Sequence, residues 1–213
     1  MSAADDLARV ARLLEDAGLN AGTSGNISVR LPDGLLVTPS AVPPHQIEAS
    51  AMVELAVDGT PRSPGVPTSE WRIHSTVYRA FPQAGAIVHT HSTYATALAS
   101  LREDLPAFHY QVAKAGGHVI ACSDYAPYGT QELCDAVIDA LGDRTACLMA
   151  NHGMLAYGPT LDKALLLAIE VESLCRQYMI ARSVGTPVIL TADQMDVVID
   201  RFSRYGKPES MDS

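Results

Sequence analysis

The sequence predicts a layered α/β protein. Three observations carry that expectation. Short apolar runs of strand length alternate with stretches of helical periodicity from one end of the chain to the other. Hydrophobic residues make up 47% of the chain and charged residues 18%, which supports a substantial core and excludes global disorder. No linker or internal repeat divides the 213 residues, so one domain with a polar tail from about residue 205 is expected.

The elements follow in order. Leu7, Val10, Ala11 and Leu14 recur at helical spacing over residues 4–17, and Gly18 marks the stop. Ile27-Ser28-Val29 and Leu35-Leu36-Val37 read as short strands joined by a Pro32-Asp33-Gly34 turn. Residues 52–57 form another strand, closed by Asp58-Gly59, and the Pro-, Gly- and Ser-rich stretch 60–67 is a loop. Pro67-Thr68-Ser69-Glu70 opens a helix to about Phe81, with hydroxyl and acidic residues at its positive end. Ala84, Ala86, Ile87 and Val88 lead a strand into His89, and a helix follows to about Ser100. Short strands broken by Gly116-Gly117 are expected over 105–122. A helix from Gly129-Thr130 to Leu141, strands at 145–149 and 154–157, a long helix from Thr160 to about Val184 and a last helix over 192–204 complete the pattern. Leu161, Leu165, Ala168, Val171, Leu174 and Tyr178 give the long helix one buried stripe.

Composition excludes several function classes. A net charge of −9 argues against a nucleic-acid surface, which needs a basic stripe. It leaves an anionic ligand open, because backbone N–H groups and hydroxyls hold phosphate without lysines. Cys122, Cys134, Cys147 and Cys175 form no Cys-x-x-Cys pair and read as reduced packing residues. The first residues, Met-Ser-Ala-Ala-Asp-Asp, lack the basic flank and apolar core of a secretory signal, and no apolar stretch is long enough for a bilayer. A cytoplasmic protein without membrane or nucleic-acid partners is the expectation.

Three clusters of residues carry chemistry. His89 and His91 sit two apart on a strand, so both imidazoles point to one face. Two neutral imidazoles there suit one divalent cation better than they suit a core. His152, in Ala-Asn-His-Gly after the run Ala146–Met149, offers a third, and three histidines leave a coordination position open for catalysis. Glu70 is the second. As a first-turn acid it serves a helix dipole, or, beside Thr68 and Ser69, it removes a proton α to a metal-bound carbonyl. His74, four residues on, fits either an orienting role toward that carboxylate or a solvated helix face. The third is Gly22-Thr23-Ser24-Gly25-Asn26, compatible with a phosphate cradle and equally with a turn before a strand. Thr38-Pro39-Ser40 is similar.

These strings together resemble the class II aldolase family, which includes sugar-phosphate epimerases, a methylthioribulose-phosphate dehydratase and the adducin head domain. The resemblance rests on Gly18–Asn26, Leu36–Ser40, Pro67–Trp71, His89-Thr90-His91 and Asn151-His152-Gly153. Ala107–Tyr110 through Gly117, and Tyr125–Leu133, resemble the L-fuculose-1-phosphate aldolase branch. The resemblance implies a three-layer α/β/α sandwich around a mixed sheet, and a homotetramer with active sites between subunits. It implies one zinc per subunit on His89, His91 and His152, with Glu70 a ligand at rest and the acid/base when substrate binds. Manganese, cobalt or nickel fit the same donors. It further implies phosphate contacts from Thr23, Asn26, Thr38, Thr68 and Ser69, catalytic roles for Tyr110 and Tyr205 near the aldehyde, and an aromatic wall at Tyr128. The implied reaction is reversible cleavage of a ketose 1-phosphate, L-fuculose 1-phosphate or a related deoxypentulose phosphate, to dihydroxyacetone phosphate and an aldehyde. A pentulose-phosphate 4-epimerase, a methylthioribulose-1-phosphate dehydratase and a non-catalytic adducin-like scaffold are the alternatives; the epimerase branch adds a histidine after the third ligand, and none follows His152 here. Two positions depart from the pattern. Ala41 stands where the family usually has glycine, and Lys114 lies in a stretch that is small and apolar in the fuculose branch.

Overall fold

The computed structural model describes residues 2–204. Seven strands form one mixed sheet: β1 (Asn26–Leu31), β2 (Gly34–Val37), β3 (Val53–Ala56), β4 (Ala86–Thr90), β5 (Cys122–Ser123), β6 (Ala146–Met149) and β7 (Gly153–Gly158). Their order is β3-β2-β1-β4-β7-β6-β5. All neighbours are antiparallel except β5 and β6. Six α-helices flank it: α1 (Ala3–Asp16), α2 (Trp71–Ala80), α3 (Thr93–Ser100), α4 (Gln131–Leu141), α5 (Leu161–Val184) and α6 (Ala192–Arg204).

Period-2 alternation divides the strands between two cores. Ala86 and Val88 of β4, Leu148 of β6 and Met154 and Ala156 of β7 pack with Leu7, Leu14, Leu98, Leu165 and Leu174 of α1, α3 and α5. Ile87, Cys147, Met149, Leu155 and Tyr157 point the other way, onto Ile73 and Val77 of α2 and Leu133 and Val137 of α4. The result is the three-layer α/β/α arrangement. The four cysteines are free thiols, and burial pushes Cys147 up to about 12, which suits packing rather than reactivity. Among the described residues, no helix is long and apolar enough to cross a membrane.

Two segments differ from expectation. Residues 105–122 hold mainly a 3₁₀ helix, Tyr110–Ala115, capped by Gly116 in the left-handed region at φ 92°. The His109 side chain accepts from the Gln111 N–H and so starts a turn, and Pro106 has no N–H for a ladder. Leu105 and Ile120 still make one isolated bridge, and only β5 joins the sheet. The second difference is the start of α2. Residues 67 and 68 stay outside the helix because Pro67 bridges to Pro39 and the Thr68 N–H donates to the Thr38 carbonyl, and Ser69 and Glu70 form a turn. The helix therefore begins at Trp71, with Glu70 at its N-cap position. At the far end, the Arg30 guanidinium donates to the Tyr78 carbonyl in the last turn of α2 and to the carbonyls of Phe81 and Ala84 just beyond it.

Candidate active site

Strand order brings the chemistry together. β4 ends at Thr90 beside the beginning of β1 and the beginning of β7, because both neighbours run antiparallel to it. Asn26 is thus the cross-strand partner of His89. His91 follows on the same face one pleat later, and His152 occupies the turn between β6 and β7. Asn151 before it adopts φ 53°, a left-handed conformation that asparagine tolerates. Gly153 after it is required by space. A Cβ there would lie 2.3 Å from the Thr90 carbonyl oxygen.

The Glu70 side chain makes no capping bond to its own helix. It turns instead to the histidines, so the helix-dipole reading of this residue does not describe its contacts. Oε2 lies 3.1 Å from His89 Nε2 and Oε1 lies 3.0 Å from His152 Nε2. Nε2 atoms of His89 and His91 are 3.0 Å apart, and the three rings meet edge-on with centroids 4.8 to 4.9 Å apart. One ligand atom from each of Glu70, His89, His91 and His152 falls within 4.8 Å of all the others.

This donor set fits a divalent cation. His89 Nδ1 donates to the Met154 carbonyl at 2.8 Å, which directs its Nε2 into the cluster. Glu70 Oε1 is buried and, despite its 3.0 Å approach to His152, lies off the hydrogen-bonding line and accepts no hydrogen bond. A buried carboxylate oxygen without a donor is costly unless a positive charge meets it. Electrostatics agree. Burial pushes the Glu70 carboxyl up, but the facing His89 and His152 rings outweigh it and hold the group well below the usual carboxylate range. Burial pushes His89 down, and the Glu70 carboxylate outweighs that and raises it. His91 is pushed down to about 4 by burial and by the other two rings.

A cavity of about 410 Å³ opens over the cluster. Thr23 and Ser24 line it from the glycine-rich loop, Thr68 and Ser69 from the segment before α2, and Tyr125 and Tyr128 from the loop before α4. Four of the five expected phosphate residues, Thr23, Asn26, Thr68 and Ser69, border this space. Thr38 stands behind it, with its hydroxyl accepting from the Ile27 N–H at 3.2 Å. Tyr110 is not among the lining residues of this chain's cavity; it is half exposed and stacks on His109. Tyr205 lies outside the described residues. Lys114 pairs with Glu170 of α5 at 3.0 Å, away from the cavity. Ala41 lines the cavity with φ 58°.

Sequence reasoning left two features of the site unassigned. Tyr125 joins Tyr128 at the cavity wall; its place in the same Tyr-Ala-Pro-Tyr string was the available signal. His74 is fully buried, which rules out the solvated helix face, and it meets Asn26 rather than Glu70. The pairs Asn26/Ser28, two apart on a strand, and His74/Tyr78, four apart on a helix, carried that signal.

Comparison with known proteins agrees with this geometry. Residues 5–179 match the family model described as the class II aldolase and adducin N-terminal domain. A 5-methylthioribulose-1-phosphate/5-deoxyribulose-1-phosphate aldolase of Rhodospirillum rubrum is 45% identical over 196 residues, covering 92% of this chain and 89% of the relative. An L-fuculose phosphate aldolase of Escherichia coli K12 is 42% identical over 190 residues, covering 89% of this chain and 88% of that protein. The solved structure of an L-fuculose 1-phosphate aldolase superposes with a TM-score of 0.91 at 36% identity, covering 94% of this chain and 96% of that one. On the match over most of its length and on this fold, the chain belongs to the class II aldolase and adducin family.

Proposed function

We propose that this protein is a metal-dependent aldolase that reversibly cleaves a ketose 1-phosphate, a 5-deoxypentulose 1-phosphate or L-fuculose 1-phosphate, to dihydroxyacetone phosphate and an aldehyde. The observation that carries the reading is the placement of one ionised carboxylate, Glu70, against three imidazoles at the floor of a hydroxyl-lined cavity. An adducin-like scaffold has no use for that arrangement. The names of the relatives support both substrate classes.

His89, His91 and His152, with Glu70, form the set that would hold the cation, zinc first and manganese, cobalt or nickel as substitutes. When bound, it supplies Lewis acidity to the substrate's carbonyl and neighbouring hydroxyl oxygens. Thr23, Asn26, Thr68 and Ser69 hold the phosphate from the cavity wall, and Thr38 anchors the segment behind them. In the cleavage direction the C4 hydroxyl gives up its proton, the C3–C4 bond breaks, and the electron pair stays on the three-carbon fragment. Glu70, ionised in the free site, takes up a proton from solvent when substrate enters. It returns that proton to C3, next to the carbonyl, while the proton lost from the C4 hydroxyl passes on to solvent. Tyr205 takes the proton from the C4 hydroxyl, and Tyr110 stands near it, both reaching the site from a neighbouring subunit of a homotetramer.

The test is incubation with 5-deoxyribulose 1-phosphate, 5-methylthioribulose 1-phosphate and L-fuculose 1-phosphate, with release of dihydroxyacetone phosphate coupled to its reduction. Release from at least one, lost on chelation and restored by zinc, is the expected result. A dehydrated or epimerised product without dihydroxyacetone phosphate overturns the assignment.

A further inference from the structure

Behind Glu70 runs a buried row of polar side chains, of which the reaction above uses only Asn26. Asn26 Nδ2 lies 2.8 Å from Glu70 Oε2, Asn26 Oδ1 2.5 Å from His74 Nε2, His74 Nδ1 2.7 Å from Ser28 Oγ, and Ser28 Oγ 2.8 Å from the Tyr78 hydroxyl. Asn26 and Ser28 share a face of β1, and His74 and Tyr78 are one turn apart on α2. All four side chains are buried.

His74 is fully buried, which pushes it down to about 3 and keeps the ring neutral, and chemistry then permits one arrangement of the hydrogens. A carboxylate only accepts, so Asn26 must turn its N–H₂ toward Glu70 and its carbonyl away. That carbonyl needs a donor, so His74 carries its proton on Nε2. Its Nδ1 then accepts from the Ser28 hydroxyl. Ser28 has spent its one hydrogen, so its oxygen accepts from Tyr78. Four hydrogen bonds therefore point the same way, toward the carboxylate, and each polarises the next. Reversing the Asn26 amide would set its carbonyl oxygen against Glu70 Oε2 at 2.8 Å. The reversed amide would also set its N–H₂ against the His74 N–H, so His74 holds the Asn26 orientation from the other side.

We propose that His74 is a positioning residue: with Ser28 and Tyr78 behind it, it locks the Asn26 amide and through it the Glu70 carboxylate in the geometry that receives the cation. The proposal rests on the reading of Glu70 as a metal ligand. A filler of buried space would be replaceable by any side chain of the same shape. A positioning donor is replaceable only by another donor at the Nε2 position.

The experiment uses the full-length protein and needs no sugar phosphate. Zn²⁺ affinity is measured by competition with a chelator for the unaltered chain, His74→Phe and His74→Gln, with folding checked by circular dichroism. Phenylalanine keeps the ring volume without the donor, and glutamine returns an N–H near the Nε2 position. His74→Phe is expected to bind Zn²⁺ roughly 10- to 100-fold more weakly, the effect usual for partners that orient a ligand, with glutamine recovering most of the loss. Unchanged affinity in His74→Phe, or an equal loss in both folded variants, overturns the proposal. Should His74→Phe fail to fold, ¹⁵N spectra of the unaltered apo protein decide: His74 protonated on Nε2 supports the chain of donors, and protonation on Nδ1 overturns it. The tautomer is read without metal or substrate. Failure of the unaltered chain to bind Zn²⁺ strikes the metal site itself and is seen separately from the tautomer.

Discussion

Replacing Ala41 by glycine should stabilise this protein. Ala41 sits at φ 58°, where an L-residue brings its Cβ too close to the following carbonyl. That conformation costs roughly 1–2 kcal/mol for a residue with a side chain, and glycine avoids it. Glycine also makes the unfolded chain freer, which takes back about 0.4–1 kcal/mol. The Ala41 residue is exposed, so removing its methyl forfeits no buried packing. The net expectation is a gain of about 0.5–1 kcal/mol, or about 1–4 °C in Tm for a chain of this size. Guanidinium denaturation at fixed protein concentration reads it as a higher midpoint at unchanged slope. A variant less stable than the parent would refute the claim that this backbone is strained, and would place the cause of the departure from glycine elsewhere.

Further outcomes follow from the same geometry. Gly153→Ala sets a methyl 2.3 Å from the Thr90 carbonyl and 3.2 Å from His91 Cδ2, and a backbone oxygen in a paired strand cannot turn aside. The β4–β7 ladder must open between two ligands. A loss of about 1–3 kcal/mol in stability is expected with weaker Zn²⁺ binding, and a variant that matches the parent in denaturation and metal titration would contradict the close approach. Metal binding should also release protons. His89 is raised above its ordinary value by the Glu70 carboxylate, so its apo form holds a proton to higher pH than a free imidazole does, and ligation must displace it. Calorimetry in buffers of different ionisation enthalpy is expected to show net proton release on binding, with affinity falling as pH drops. No proton release would show that the imidazole is already bare.

How much of this was legible in the sequence depends on whether the interaction was local. The alternation of β4 declared that His89 and His91 share a face, because strand period alone decides it. The long helix α5 was equally readable, since its buried stripe repeats within the element. Convergence of His152 was not readable from spacing. It follows from β7 lying between β4 and β6, a long-range pairing that no window of sequence contains. Glu70 shows the same limit. Its residue type suited a helix dipole, and only the pairing of residues 67–68 with 38–39 delays α2 enough to free the carboxylate. The stretch 105–122 has strand-like composition, yet the His109 side chain commits it to a 3₁₀ turn. His74 stayed open between orienting Glu70 and lying on a solvated face, because nothing in its own helix reveals that Asn26 and Ser28 face it from β1.

The most direct measurement is hydrogen exchange in Glu70→Gln. Dihydroxyacetone phosphate is incubated in deuterium oxide with zinc-loaded protein, and incorporation at the carbon next to the carbonyl is followed by NMR. The three imidazoles still hold zinc, more weakly without the carboxylate, so the variant loaded with excess zinc should retain the metal while exchange falls to background. Exchange at the parent rate in a zinc-containing Glu70→Gln protein would show that another group moves the proton.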